Sequence, residues 1–228
     1  MKKFFFCAIC ALAILATVGC KGRTYKSQVM LGNEPTKFFH WSWTAQDAPW
    51  GICDTAGNEV IPRVYPKSVA YYGDYFIADS LTKQVLFSPT GQRLYEAEKI
   101  DRSGFKWFVI GTQDGSQYVF DLRTKTKYGA FNKVKVFACG GDVFFLDQLE
   151  NGTKNIIHNQ AVIASNCDEV IAVTNTAKDK KTGFFLARRE NYSWVRYNLA
   201  GKQTGKLTAK QAAAEKKNKD NGRTVQIL

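Results

Sequence analysis

The stretch WGICDTAGNEVIPRVY, Trp50 to Tyr65, sets an apolar run, a polar turn and a second apolar run within sixteen residues. It reads either as a site or as one copy of a repeat. Similar segments follow it: QVLFSPTGQRLY, QYVFDLRTKTKYG, NIIHNQAVIA and WVRYNLAGKQTG. With Asp54, Ser88, Asp121, Asn159 and Asn198 aligned, the spacings are 34, 33, 38 and 39 residues. A second landmark runs out of phase with the first: Gly73 before YFIA, Gly104 before KWFVIG, Gly141 before DVFFLD and Gly183 before FFLAR, at spacings of 31, 37 and 42. Two landmarks with similar periods make the segment a structural repeat.

The turn residues have a local reason to recur. An Asp, Ser or Asn opening a type I turn bonds to backbone two residues on, and a glycine three positions later accepts positive φ. Gly57, Gly91 and Gly201 occupy that later position. A turn of this kind joins antiparallel strands. Asp54, Asp121 and Asn198 therefore read as turn formers, not as catalytic groups.

Trp50-Gly51-Ile52-Cys53-Asp54, Gly57, Val60-Ile61-Pro62, Tyr65 and Tyr72-Gly73 resemble the bacterial WG repeat. Later copies keep the spacing but replace Trp-Gly with Val85-Leu86, Tyr118-Val119, Ile156-Ile157 and Trp194-Val195, so the repeats are degenerate. The resemblance implies a β-repeat architecture. It implies no particular activity.

Runs rich in Val, Ile, Phe, Tyr and Trp, broken by Gly, Asn and Asp, predict strands. The first copy yields 49–54, 59–62, 67–72 and 75–79, and the second 83–88, 92–95, 98–102 and 106–110. Four antiparallel strands per copy predict an all-β, propeller-like chain of about five blades. SQVML and KFFHWSW would supply the outer two strands of a fifth blade, whose inner two come from the last copy, from Tyr192 onward. An open β-solenoid of stacked hairpins is the alternative. In either, Trp50, Phe76, Phe108, Phe144 and Phe185 are expected in the core.

The N-terminus predicts an address. Lys2 and Lys3 precede an apolar run from Phe4 to Val18, then Gly19 and Cys20. That is an export signal, too short to span a bilayer as a helix. Thr17-Val18-Gly19-Cys20 resembles the bacterial lipobox, with threonine where leucine is usual. The resemblance implies that Cys20 is lipidated with acyl chains of the palmitate type and becomes the mature N-terminus. Several chains suffice for stable anchoring. No aspartate or acidic cluster follows in Lys21-Gly22-Arg23, which implies an outer-membrane protein facing the periplasm.

The expected organisation is a lipoprotein signal peptide at 1–20, one β domain at 21–207 and a basic helical or flexible tail at 208–228. Thr208 and Gln211 fit a capping box in LTAKQAAAEKKNKDNG, and a short helix without an apolar stripe is marginal by itself. Net charge is +12. Six basic residues from Lys206 onward face only Glu215 and Asp220. The remaining charge is spread thinly, which excludes a deep nucleic-acid groove.

No phosphate-binding glycine loop, metal-ligand pair or Gly-x-Ser-x-Gly elbow is present. No catalytic set, cofactor or metal is assigned. His40 and His158 sit among apolar strand residues. A Cys139 or Cys167 pairing with His158 has nothing to orient it. Asp168 and Glu169, adjacent on a strand, point to opposite faces. Cys53, Cys139 and Cys167 permit at most one disulfide within the mature domain. Two functions remain: a lipid-anchored scaffold binding an envelope protein or a cell-wall glycan, and a periplasmic enzyme with its site at the repeat axis.

Overall fold

Local turn chemistry organises the chain as the repeat predicts. The computed structural model describes residues 25–43, 49–177, 180–189, 193–217 and 222–228. The export segment and Cys20 lie outside the described residues. Five sheets follow one another. The first holds β1 (Tyr25–Leu31), β2 (Glu34–Ser42), β3 (Trp50–Asp54) and β4 (Glu59–Tyr65); the second holds β5 (Ala70–Tyr71), β6 (Phe76–Asp79), β7 (Gln84–Phe87) and β8 (Arg93–Ala97). The third comprises β9 (Lys99–Arg102), β10 (Phe108–Gln113), β11 (Ser116–Asp121) and β12 (Thr126–Phe131). The fourth comprises β13 (Lys133–Cys139), β14 (Asp142–Gln148), β15 (Lys154–His158) and β16 (Ala161–Cys167). In the fifth, β17 (Glu169–Ala177), β18 (Lys180–Arg188), β19 (Trp194–Asn198) and β20 (Gln203–Leu207) are joined by β21 (Arg223–Ile227).

This is an all-β, propeller-like succession of four-stranded antiparallel units. Four of these sheets are up-and-down meanders in sequence order; in the fifth, β21 adds beside β17 out of that order. The chain makes two compact units, one ending at Leu94 and the other running from Tyr95 to Leu228.

All five aligned turn residues lie at the same place, between the third and fourth strands of their sheets. At three of them the bonding is identical. Gly57, Gly91 and Gly201 donate their amides to the carbonyls of Asp54, Ser88 and Asn198, at 3.1, 3.0 and 3.1 Å. The side chains of Asp54, Ser88 and Asn198 accept the amides of Asn58, Gln92 and Lys202 at 2.8, 3.0 and 2.8 Å. In the third sheet Lys125 takes the left-handed position, and in the fourth Asn159 and Gln160 form a two-residue hairpin with φ of 46° and 70°.

The phase differs from the expectation. Sheets begin three strands before the Asp-x-x-Gly turn, so β1 and β2 complete the first sheet with β3 and β4, and among the described residues no sheet is built from both chain ends. The physical reason is that the turn carries sequence-specific chemistry, whereas the crossing from one sheet to the next, such as 66–69, carries none. Gly183 also departs from its series. It lies inside β18, and a methyl there would come within 2.9 Å of the Gly140 amide, so it serves close approach and not a turn.

Packing follows the alternation of strands. In the first unit Phe38, Ile52, Ile61, Phe76, Val85 and Phe87 form one core. In the second, Phe137, Phe144 and Phe185 meet with ring centroids 4.8–6.0 Å apart. Four of the five predicted core aromatics, Phe76, Phe108, Phe144 and Phe185, are buried. Trp50 is the exception and is only half-buried, edge-on to Tyr25 and His40, because it opens β3 at the sheet end. The glycine after it has a packing role, since a methyl on Gly51 would strike the Trp41 indole nitrogen at 2.5 Å and the Ile61 carbonyl at 2.6 Å.

The tail forms more than a helix. α1 (Ala209–Lys217) is capped as predicted: Gln211 donates its amide to Thr208 Oγ1 at 3.3 Å, and Thr208 donates its own to Gln211 Oε1 at 2.8 Å. Ala212 buries completely against Ile171, Leu186 and Trp194. Past it, β21 pairs antiparallel with β17 from Ile171↔Ile227 to Asn175↔Arg223. The expected short helix therefore forms, and beyond the expectation the burial of Ala212 and the pairing with β17 hold the described tail residues on the fifth sheet.

Gly91 has φ of +82°, and a methyl at this position would overlap the Val60 carbonyl, so Gly91→Ala should cost about 2–4 kcal/mol in urea unfolding. Gly104→Ala, at φ of +84° with open space around it, should cost only ~1 kcal/mol.

Candidate binding site

Strand pairing in the third and fourth sheets brings three hairpin turns to one place. These are the turn after β11, the Gly140-Gly141 turn after β13 and the Asn159-Gln160 turn after β15. Between them lies a cavity of about 270 Å³. Its apolar side is Phe108 and Phe145, and Tyr128 on β12 forms a wall. Arg123, Asp142, His158 and Asn159 supply polar groups. Tyr128 also lines a second cavity of about 350 Å³, with Lys127, Phe131, Ile157 and Gln160.

Asp121 and Arg123 fix the electrostatics. The Asp121 carboxylate is 3% exposed. It accepts from Arg123 Nη2 at 2.9 Å, from Nε at 3.2 Å and from the Arg123 amide at 2.8 Å. Burial alone would raise its pKa, but the hydrogen bonds and charge of Arg123 outweigh that and hold the carboxyl below the ordinary carboxylate range. The guanidinium is pinned as a planar donor beside the Phe108 ring, 5.4 Å from its centroid. Arg123 remains half-exposed, with capacity for further acceptors.

His158 of the sequence-predicted residues reaches this cavity, tilted against Phe144 at 4.4 Å. His40 instead bonds through Nε2 to the Val69 carbonyl at 2.7 Å, a structural role. Cys53, Cys139 and Cys167 are buried free thiols. Burial pushes the Cys139 thiol up to about 11, against the lowering effect of Thr174 and the Phe184 and Val173 carbonyls. Such a thiol is a poor nucleophile. Glu169 is held by Arg188 at 2.9 Å and Lys216 at 3.1 Å, and is not paired with Asp168 for acid–base work. Among the described residues no group of three or more His, Cys, Asp or Glu is placed to hold a metal ion, and no helix is long and apolar enough to cross a membrane. Cys20 lies outside the described residues.

Arg123, Tyr128 and Asp142 went unread in the sequence. Each comes from a different turn or strand, and no spacing links them. The only available signal was positional, since turns at one end of successive sheets converge.

No protein-family model and no curated protein matches the chain. Among solved structures it is similar to BamB from Moraxella catarrhalis, with TM-score 0.29 and 14% identity, covering 76% of this chain and 58% of that one. It is also similar to Hsv2 from Kluyvelomyces marxianus, with TM-score 0.31 and 13% identity, covering 80% and 62%. The chain thus spans less than two thirds of either structure.

The arrangement can orient a small polar ligand over ring surfaces. Pockets of this mixed character bind through apolar contact and take specificity from a few placed polar groups. Since the folded Asp121 pKa is depressed, its contribution is complete above the unfolded value near ~3.9 and is lost as pH falls through the folded one. Asp121→Asn should cost about 1.5–3 kcal/mol at pH 7, and that deficit should shrink below pH 3 in unfolding titrations. At pH 8 the Cys139 thiol should react with a disulfide reagent at least ~100-fold more slowly in the native protein than in urea.

Proposed function

We propose that this chain is a lipid-anchored binding scaffold of the bacterial envelope. Acylated Cys20 tethers it to the outer membrane on the periplasmic side, and degenerate WG-like repeats form the frame. The cleft around Tyr128 takes a cell-wall glycan as its partner. The observation that carries this reading is the chemistry of that cleft. It sets donors and acceptors of both kinds, from Arg123, Asp142, His158 and Asn159, over aromatic rings. Asp121 already neutralises Arg123. A polyhydroxylated ring suits such a lining: hydroxyls exchange hydrogen bonds with planar side chains while the C–H face lies on an aromatic surface.

Binding is favoured over catalysis because Asp121 and Cys139, two groups that could move a proton or attack, are tied up. The Asp121 carboxylate is locked by Arg123, and the Cys139 thiol is buried and raised. The lipobox-like Thr17-Val18-Gly19-Cys20 and the export run before it support the location.

Full-length lipidated protein, titrated with soluble muropeptides below the unfolding midpoint of each variant, should bind with an affinity that Tyr128→Ala and Arg123→Ala each lower at least ~10-fold; Arg123→Ala also lowers the midpoint, because it leaves the Asp121 carboxylate buried and unpaired. Unaltered affinity in both variants would remove the cleft from the proposal. Cys20→Ala should retain its export segment and show no acyl mass; a processed and acylated variant would refute the anchor.

A further inference from the structure

In the first unit the strands of each sheet run up and down along one axis, which gives the sheet two unlike ends. Tyr25, Ser42 and Trp43 at the end of β2, Trp50 at the start of β3, the end of β4, the crossing at 66–69 and the loop 80–83 lie at what we term the base. The opposite end, the tip, carries the turns at 32–33, 55–58, 72–75 and 88–92.

The two ends differ in charge. Among the described residues of this unit, Glu34, Asp54, Glu59 and Asp74 sit at the tip, together with Arg93 at the start of β8 and the Lys26 ammonium beside Gly57. Among the described residues the base has Arg63, Lys67 and Lys83 with Asp79, which lies 3.3 Å from Lys67. Apolar groups are exposed at the base as well: Leu81 is 92% exposed, Val64 64% and Trp43 44%. The Arg63 guanidinium is sandwiched between two indoles, 4.6 Å from the Trp41 ring centroid and 3.7 Å from that of Trp43. Trp and Tyr with basic neighbours favour the boundary between lipid tails and headgroups.

The chain supplies the reason for choosing a bilayer as the occupant. Only Lys21 to Thr24 separate Cys20 from Tyr25, and five Cα steps reach at most about 17 Å. A lipid on Cys20 therefore keeps the base, and not the tip, at the headgroups. Exposed Met30, Leu31 and Tyr72 make the tip partly apolar too, but its four carboxylates outnumber Lys26 and Arg93 there and weaken its attraction to anionic lipid.

We propose that the base of the first unit is a membrane-docking face, with Trp43, Val64 and Leu81 entering the interfacial region and Arg63, Lys67 and Lys83 contacting anionic headgroups. This rests on the anchored reading above and adds an orientation to it. The full-length protein is to be reconstituted into phosphatidylethanolamine–phosphatidylglycerol vesicles carrying bromine on the acyl chains, and tryptophan quenching measured. The variant Leu81→Ser/Lys67→Glu/Lys83→Glu keeps all five tryptophans. It should lose at least half of the quenching, and wild-type quenching should fall when phosphatidylcholine replaces the anionic lipid. Trp43→Phe, a second variant at an exposed position, should lose the largest single share.

The intact mass of the same samples reports acylation separately. Acylated protein whose quenching is unchanged by the triple variant and by Trp43→Phe overturns the face and leaves the anchor standing. Protein without acyl chains whose quenching still falls in the variants supports the face and refutes the anchor.

Discussion

Each sheet of this chain is too small to stand by itself, and its stability depends on aromatic side chains buried against the next. Strands of two to nine residues cannot bury both of their faces within one sheet. Phe76 closes against Phe38 in the first unit, and Phe185 closes against Phe137 and Phe144 in the second. Truncating a buried phenylalanine of this kind costs ~3–5 kcal/mol, a large part of the stability of a domain this size. Close approach follows from the same requirement. Gly183 is glycine because a Cβ would hold its sheet away from Gly140 of the sheet before it, and Gly51 because a Cβ would strike Trp41 and β4 on either side within its own sheet.

That packing gives the molecule its chemistry indirectly. With the strands committed to the core, the polar residues of the repeats collect at the turns. Most serve the turns themselves, as Asp54 and Asn198 do. Asp121 differs, because its turn has Arg123 in place of a neutral residue and its carboxylate is buried against the guanidinium. The outcome is a rigid donor at the mouth of a cavity walled by Tyr128. A pinned arginine loses less side-chain freedom on meeting a ligand than a free one, which favours recognition at that position.

The first unit carries a different asymmetry. Most of its described carboxylates accompany the tight turns, where Asp and Glu satisfy amides and open strands, while its base has Arg63, Lys67 and Lys83 beside Asp79. Turn chemistry thus separates charge along the strand direction without any residue being placed for long-range effect. The Trp41–Arg63–Trp43 stack keeps aromatic and cationic groups together at that end.

The repeat, the strands and the Asp-x-x-Gly turns were legible because each depends on residues within a few positions of one another. Asp54, Ser88 and Asn198 bond to amides four residues on, and that chemistry is written in the sequence whatever surrounds it. The capping of α1 by Thr208 and Gln211 was readable for the same reason. Where a sheet begins was not, since β2 joins β3 across a loop without a signature and β21 finds β17 from about fifty residues away. Nor was the cleft, whose Arg123, Tyr128, Asp142 and His158 are assembled from two sheets. Sequence determined the local bonds; tertiary packing alone decided which ends of which strands meet, because burial of apolar faces is non-directional and is settled only when the sheets are brought together.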